Sequence, residues 1–184
     1  MIKLETLSDV ALIALIADRD QLAFNLIMQR HLAVILNFCQ RYLKKEAEDI
    51  AQETFIKLWN NTPNWEDKGF TIKAWLLRVS YHLCIDELRK NNPSYLVDEA
   101  EGVLHMIDNT TEQLLSSRVE LQLQMQALNQ LPERQRSAIL LCACNGLNHK
   151  QAAETLDVTV DALEALLARG RRQLKLLFAQ ATRE

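Results

Sequence analysis

Between Glu46 and Trp59 the sequence EAEDIAQETFIKLW fits a helix and fits nothing else well. At about 100° per residue, Ala47, Ile50, Ala51, Thr54, Phe55, Leu58 and Trp59 fall on one broad face, and a face of that width has to bury against other helices. Asp49, Gln52, Glu53 and Ile56 recur at i, i+3, i+4 and i+7 and form a second, narrower stripe of acidic and amide groups around one branched apolar side chain. That stripe has two readings. A solvated face with a single exposed hydrophobe is ordinary; a docking ridge would set the same four residues against a partner.

The rest of the chain supplies helices for that face to pack on. With 184 residues, 48% of them apolar, and only four Gly and three Pro, it is long enough for one domain or two small ones and is biased toward helix. Ser8 is placed to cap a helix from Asp9 to Ala17 with Val10, Ile13, Ala14 and Ala17 on one side. From Gln21 to Leu43 the residues Leu22, Leu26, Ile27, Ala33, Val34, Phe38 and Leu43 support a long second helix, whose Arg30 and His31 read as solvated. Pro63 and Gly69 mark a loop. Phe70 to Lys90 then carries two apolar stripes on nearly opposite sides, Ile72, Leu76, Val79 and Leu83 against Leu77, Tyr81, Cys84 and Leu88, so it must pack on both. Between them runs Arg78, His82, Ile85 and Arg89, a combination of cations and flat or apolar groups suited to unpaired nucleic acid.

Asn91, Asn92 and Pro93 close that helix, and residues 93–111 form an acidic linker of about twenty residues. Helical periodicity resumes at Glu112. Pro132 opens another helix that ends before Gly146 at the C′ position. Asn148 caps a short helix to Leu156, Asp157 sits where a tight turn needs positive φ, and Thr159 caps a last helix from Val160 to about Ala181. A short helix, a tight turn and a longer helix make a helix-turn-helix, whose second helix enters the major groove by its N-terminal end.

Net charge and cysteine usage narrow the function. The formal charge of −3 is low for a DNA-binding chain. It is also uneven: Asp98, Glu99, Glu101, Asp108 and Glu112 make the middle acidic, while Arg169, Arg171, Arg172 and Lys175 make the last helix basic. DNA binding by the chain alone should be weak and salt-sensitive. Cys39, Cys84, Cys142 and Cys144 lack paired CxxC spacing and are expected to be buried small hydrophobes, so neither a metal nor a cofactor is expected. There is no secretion signal and no apolar run of about 20 residues, which points to the cytoplasm without membrane insertion. No Gly-rich phosphate loop, HExxH or nucleophile motif suggests an enzyme or a small-molecule substrate.

AEDIAQETFIKLW resembles the core-polymerase-binding helix of bacterial RNA polymerase sigma factors of the extracytoplasmic-function (ECF) group, within the sigma-70 family, and AFNLIMQRH resembles the first helix of the same sigma domain. WLLRVSYHLCIDELRK resembles the segment that melts and reads the minus-ten element, with Trp75, Leu76, Arg78, Val79, Asp86 and Arg89 matching. Where that segment commonly has asparagine, whose amide can bond a flipped base, this chain has His82. LPERQRSAILL, GLNHKQAAETLDVT and RGRRQLK together resemble the promoter-reading fourth region.

The resemblance implies an all-α protein of two small helical domains: region 2 at 1–92, the flexible acidic linker at 93–111, and region 4 at 112–184. It implies that Asp49, Gln52, Glu53 and Ile56 grip the coiled coil of the polymerase's largest subunit, that region 4 meets the flap of the second subunit, and that an anti-sigma factor is a further partner. Arg78, His82 and Arg89 would contact the minus-ten element. Thr159, Ala162, Glu164, Ala165, Leu166, Arg169, Arg171 and Arg172 would serve the helix-turn-helix. Trp75 and Asp86 are expected to be core and an anchor for a neighbouring arginine, respectively. Ala162, Glu164, Ala165 and Leu166 replace the Thr, Lys or Arg, Ser and Arg frequent at the groove-facing positions and offer none of the Arg, Lys, Asn or Gln side chains that usually read bases. A free-standing helix-turn-helix regulator would leave Glu46 to Trp59 and Phe70 to Lys90 without a purpose; a helical adaptor that binds no DNA is the remaining alternative.

Overall fold

The computed structural model describes residues 4–65, 71–91 and 126–181, and among these every regular element is a helix. The chain divides into two compact units, 1–93 and 94–184. The expected linker at 93–111 and the start of the helix expected from Glu112 lie outside the described residues.

In the first unit, α1 (Asp9–Ala17) follows a short 3-10 turn (Leu4–Thr6), and Ser8 caps it by accepting from the Ala11 amide at 3.3 Å. Asp20 caps α2 (Gln21–Cys39), its Oδ1 accepting from the amides of Leu22 at 2.8 Å and Ala23 at 3.1 Å. The turn between them holds Arg19 at φ +66°, and this left-handed residue carries its guanidinium over the Trp59 ring, 5.2 Å from the centroid. The same guanidinium donates to the Trp59 carbonyl at 3.2 Å. One strained turn residue thus ties the α1–α2 corner to the end of the next helix.

The buried face of α1 is Leu12, Ile13 and Ile16. Val10 and Ala14, expected inside, are exposed. DVALIALIA is apolar nearly all round, so periodicity could not choose the face, and packing on α2 did. In α2 the core residues are Ala23, Ile27, Ile35, Phe38 and Cys39; Leu22 and Ala33 face out, and the helix ends at Cys39 rather than Leu43. Tyr42 and Leu43 still bury, in the turn beyond it. Arg30 and His31 are not simply solvated. They bind the two oxygens of Asp9 at 2.7 Å each, and Arg30 also donates to the Glu5 carbonyl at 2.8 Å. Partial burial works to raise the Asp9 carboxyl, but the bonds from Arg30 and His31 outweigh it and hold that group below its ordinary value.

On length and composition alone α2 could cross a bilayer, contrary to the sequence expectation. Its buried residues Ala23, Ile27, Ile35, Phe38 and Cys39 instead belong to a bundle in which α2 packs on α1, α3 (Ala47–Asn61) and α4 (Ile72–Asn91). Where α3 meets α4, Thr54 and Ser80 are fully buried and share a 3.1 Å hydrogen bond. Each hydroxyl also lies within hydrogen-bond reach of a carbonyl of its own helix, Thr54 of Ile50 and Ser80 of Leu76, so the hydroxyl that accepts in the pair donates to its carbonyl. Small hydroxyls let the helices approach and leave no polar atom unpaired. Cys39 and Cys84 bury in the same bundle.

The second unit contains a helical turn at 126–129, α5 (Glu133–Ile139) running on as a π turn (Leu140–Cys144), α6 (His149–Thr155) and α7 (Val160–Ala181). In the π turn the Leu140 carbonyl accepts from the Asn145 amide at 3.0 Å and from its side chain at 2.8 Å. The wider turn shifts the residues around the axis, so Cys144 is exposed and Cys142 only part-buried, against the expectation that all four cysteines bury. Burial pushes the Cys142 thiol up, with the Arg171 charge opposing.

Gly146 then reverses the chain at φ +71°. Further along, α7 crosses α5 closely at Gly170, where a Cβ would stand 2.7 Å from Ile139 Cδ1. The glycine inside the basic run is therefore a packing notch.

Candidate polymerase and nucleic-acid interfaces

The two stripes of α3 separate cleanly. Ala47, Ile50, Ala51, Thr54, Phe55 and Leu58 are buried, and Trp59 is half-buried against Phe24, ring centroids 5.1 Å apart edge to face. Asp49, Gln52, Glu53 and Ile56 are all exposed, with Ile56 at 49%. Within the ridge Glu53 pairs with Lys57 at 3.3 Å. Acidic residues in the first turn also suit the helix dipole, but that leaves the apolar Ile56 without a structural task.

On α4 the expected strip is broken. Ile85 is buried at 6%, because it belongs with Tyr81 and Cys84 on the inner face. Arg78 and Arg89 are exposed and His82 is half-buried. His82 Nδ1 donates to the Arg78 carbonyl at 2.8 Å, and its ring meets the edge of Tyr81 with centroids 5.4 Å apart, so the imidazole is held in orientation. Asp86 lies 3.8 Å from Arg89, an arginine anchor of the kind expected.

Trp75 is not core. It is half-exposed, stacks obliquely on Trp65 with centroids 5.6 Å apart, and lines a concavity of about 340 Å³. Val79 and Leu83 share its apolar lining; Lys57, Arg78, His82 and Asp86 add charge and hydrogen-bonding groups. Lys57 comes from α3, and its part in this hollow could not be read from α4's own periodicity. The signal was available in one respect: Val79 and Leu83 lie one and two turns beyond Trp75, on the stripe assigned to a second packing partner.

The helix-turn-helix is built as its caps suggest. The Asn148 side chain accepts from the Gln151 amide at 2.9 Å while Gln151 accepts from the Asn148 amide at 3.2 Å, a reciprocal capping box. Asp157 turns the chain at φ +52°, and Thr159 Oγ1 accepts from the Ala162 amide at 3.2 Å. On α7, Glu164, Ala165, Arg169, Arg171 and Arg172 are exposed and Ala162 is half-buried.

Leu166 requires correction: it is buried at 8%, beside Leu163 and Leu167 at 0% and 2%. Leu163, Leu166, Leu167 and Gly170 are spaced i, i+3, i+4 and i+7, which is the core stripe. The outward stripe is Asp161, Glu164, Ala165, Ala168 and Arg172, and the sequence reading missed Ala168. It also missed His149, whose Nδ1 lies 3.1 Å from Glu164 Oε1.

These two units correspond to known families. Residues 27–93 match Sigma-70 region 2, and residues 122–174 match Sigma-70, region 4. The chain is 30% identical over 176 residues to the RNA polymerase sigma factor NccH of Alcaligenes xylosoxydans xylosoxydans, covering 92% of this chain and 94% of that one. It is 30% identical over 167 residues to the ECF RNA polymerase sigma factor SigW of Bacillus subtilis (strain 168), covering 85% and 89%. It is 26% identical to the ECF RNA polymerase sigma-E factor of Haemophilus influenzae over 182 residues, covering 93% and 95%.

Among solved structures, CnrH in complex with the cytosolic domain of CnrY superposes with a TM-score of 0.70 at 24% identity, over 94% of this chain and 97% of that one. The sigma factor RpoE of Bartonella quintana, in complex with the anti-sigma factor NepR, gives 0.66 at 24% identity over 85% and 96%. At that identity the likeness is one of fold. A region 2 bundle and a region 4 helix-turn-helix in one chain define a sigma-70-type promoter-recognition factor. The chain belongs to the ECF RNA polymerase sigma factors, a non-enzymatic class of initiation factors, and directs RNA polymerase to promoters.

Proposed function

We propose that the α3 ridge, Asp49, Gln52, Glu53 and Ile56, is the surface by which this sigma factor holds core polymerase, against the coiled coil of the largest subunit. One observation carries this: an acidic and amide-bearing stripe with a 49%-exposed isoleucine at its end stands opposite a fully packed face. In the same reading, region 2 spans 1–92, the linker 93–111 and region 4 112–184, the last meeting the flap of the second subunit, and the protein works in the cytoplasm.

Arg78, His82 and Arg89, with the Trp75-lined concavity beside them, take the unpaired minus-ten strand, since a flat apolar surface next to cations suits stacked bases and phosphates. Thr159, Ala162, Glu164, Ala165, Arg169, Arg171 and Arg172 serve the minus-thirty-five element. An anti-sigma factor is the further partner, a reading supported by the NepR complex of the B. quintana neighbour.

The test is Gln52→Ala combined with Ile56→Arg. Both residues are exposed, so the fold should stay within about 0.5 kcal/mol of the parent while affinity for core polymerase falls at least tenfold in a pull-down titration. Unchanged affinity would refute the docking assignment.

A further inference from the structure

We propose that His149 positions Glu164 as a reader of cytosine in the upstream promoter element, the two side chains acting as one unit at the mouth of the helix-turn-helix. The proposal rests on the reading of α6 and α7 as the promoter-contacting pair. Its geometric basis is the bond from His149, the first residue of α6, to Glu164, the fifth of α7, across the turn at 3.1 Å.

Both backbones are fixed. The reciprocal Asn148 and Gln151 caps hold the start of α6, the Thr159 hydroxyl holds the start of α7, and Leu163 beside Glu164 is fully buried. Both side chains are nevertheless accessible, at 48% and 57% exposure. A polar contact that exposed adds little to stability, so the pairing is open to a role at the surface it faces.

The chemistry of the outward stripe limits that role. Asp161, Ala165 and Ala168 are exposed neighbours of Glu164 and present no donor to a base. The alanines are short enough for a groove edge to come close. Among these neighbours Glu164 is the side chain able to read, and a carboxylate in the major groove accepts from the amino group of cytosine.

Alone, such a carboxylate would sit between two rows of phosphates with Asp161 one turn away. Donation from His149 Nδ1 to Oε1 spreads that charge and fixes the rotamer, leaving Oε2 as the acceptor.

The experiment uses the full chain assembled with core polymerase and a promoter library randomised across the upstream element. Glu164→Ala, His149→Ala, the double variant and His149→Gln are compared with the parent, and thermal unfolding is recorded for each. The parent should favour cytosine at one position by on the order of tenfold. Glu164→Ala should abolish that preference, and His149→Ala should remove most of it. The double variant should be no worse than Glu164→Ala, the non-additivity expected of a coupled pair. His149→Gln, whose amide can donate to the same carboxylate, should restore part of the cytosine preference; a merely structural role for His149 would predict no base-specific rescue.

Glu164→Ala that tightens binding to every sequence alike would show a repelling carboxylate and overturn the proposal. A parental preference for adenine, or a cytosine preference that survives in Glu164→Ala, overturns it too while leaving region 4 as an upstream reader. Binding by the parent that ignores upstream sequence altogether would bring down that wider reading as well.

Discussion

Helices α3 and α7 are both one-sided, and they differ in what their outward faces carry. In α3 the exposed stripe keeps a single character along its length, acidic and amide groups closing on Ile56. In α7 it changes sign: Asp161 and Glu164 come first, Ala165 and Ala168 follow, and Arg169, Arg171 and Arg172 stand beyond. The first pattern suits one continuous contact with a folded partner. The second suits a helix that meets two different surfaces, base edges near its N-terminus and phosphates further along. The inner faces teach something else. Each has its apolar residues at i, i+3, i+4 and i+7, so a residue on that series belongs to the core whatever a family resemblance assigns to its position.

Leu166 puts the strongest test on that rule. Leu166→Ala should destabilise the second unit by roughly 2–5 kcal/mol, the range for emptying a packed leucine site, whereas Glu164→Ala, two residues away, should stay within about 0.5 kcal/mol. The three tryptophans, Trp59, Trp65 and Trp75, all lie in the first unit. A thermal melt followed by far-ultraviolet circular dichroism should therefore shift with Leu166→Ala while tryptophan fluorescence does not. No shift in either signal would return Leu166 to the surface and restore it to the groove.

How much was legible follows the same logic. The all-helical class and the caps at Ser8, Asn148 and Thr159 are local: each needs only a side chain within three residues of the amide it satisfies, and each stands as the sequence suggests. The two stripes of α3 are legible because polar and apolar residues there do not mix. In α1, where nearly every residue is apolar, the face is set by α2 and the period has nothing to distinguish. The π turn at Leu140–Cys144 escaped for another reason, since an α-helical period assigns Cys144 a direction that the wider turn does not keep. Lys57 beside the α4 concavity, and His149 beside Glu164, were hidden because each joins residues on separate helices.

The basic end of α7 supplies the next contrast with α3. If Arg171 and Arg172 neutralise phosphates, changing both to Ala should weaken promoter binding by the holoenzyme on all upstream sequences by a similar factor. The salt dependence should flatten by about one unit for each phosphate that is no longer neutralised. Both are exposed on a helix whose crossing with α5 is set by Gly170, so the fold should persist. A loss confined to one upstream sequence, with the salt slope unchanged, would make these arginines base readers and erase the division of labour along the helix.

The smallest expected effect concerns Asp9, which joins three segments that no local pattern connects. Its carboxylate takes one hydrogen bond from Arg30 and one from His31, and Arg30 extends the link to the Glu5 carbonyl, so the first turn and α1 are clipped to α2. The bonds hold the carboxyl below its ordinary value of 3.8. A carboxyl depressed in the folded state contributes its stability above the unfolded value and loses it as pH falls through the folded one. The clip should therefore be fully formed at neutral pH and fade below about pH 4. Because Asp9 and Arg30 are each near 30% exposed, solvent screening keeps the contribution at about 1 kcal/mol or less. Asp9→Asn removes the charge and leaves the packing of Leu12, Ile13 and Ile16 in place, so the stability gap between parent and variant isolates the clip. Denaturant unfolding of both proteins from pH 7 to pH 3 should show that gap closing as the parent's own carboxyl protonates. A gap of constant size down to pH 3 would mean that the Asp9 contacts act through shape alone, and that the corner is held instead by Arg19 on Trp59.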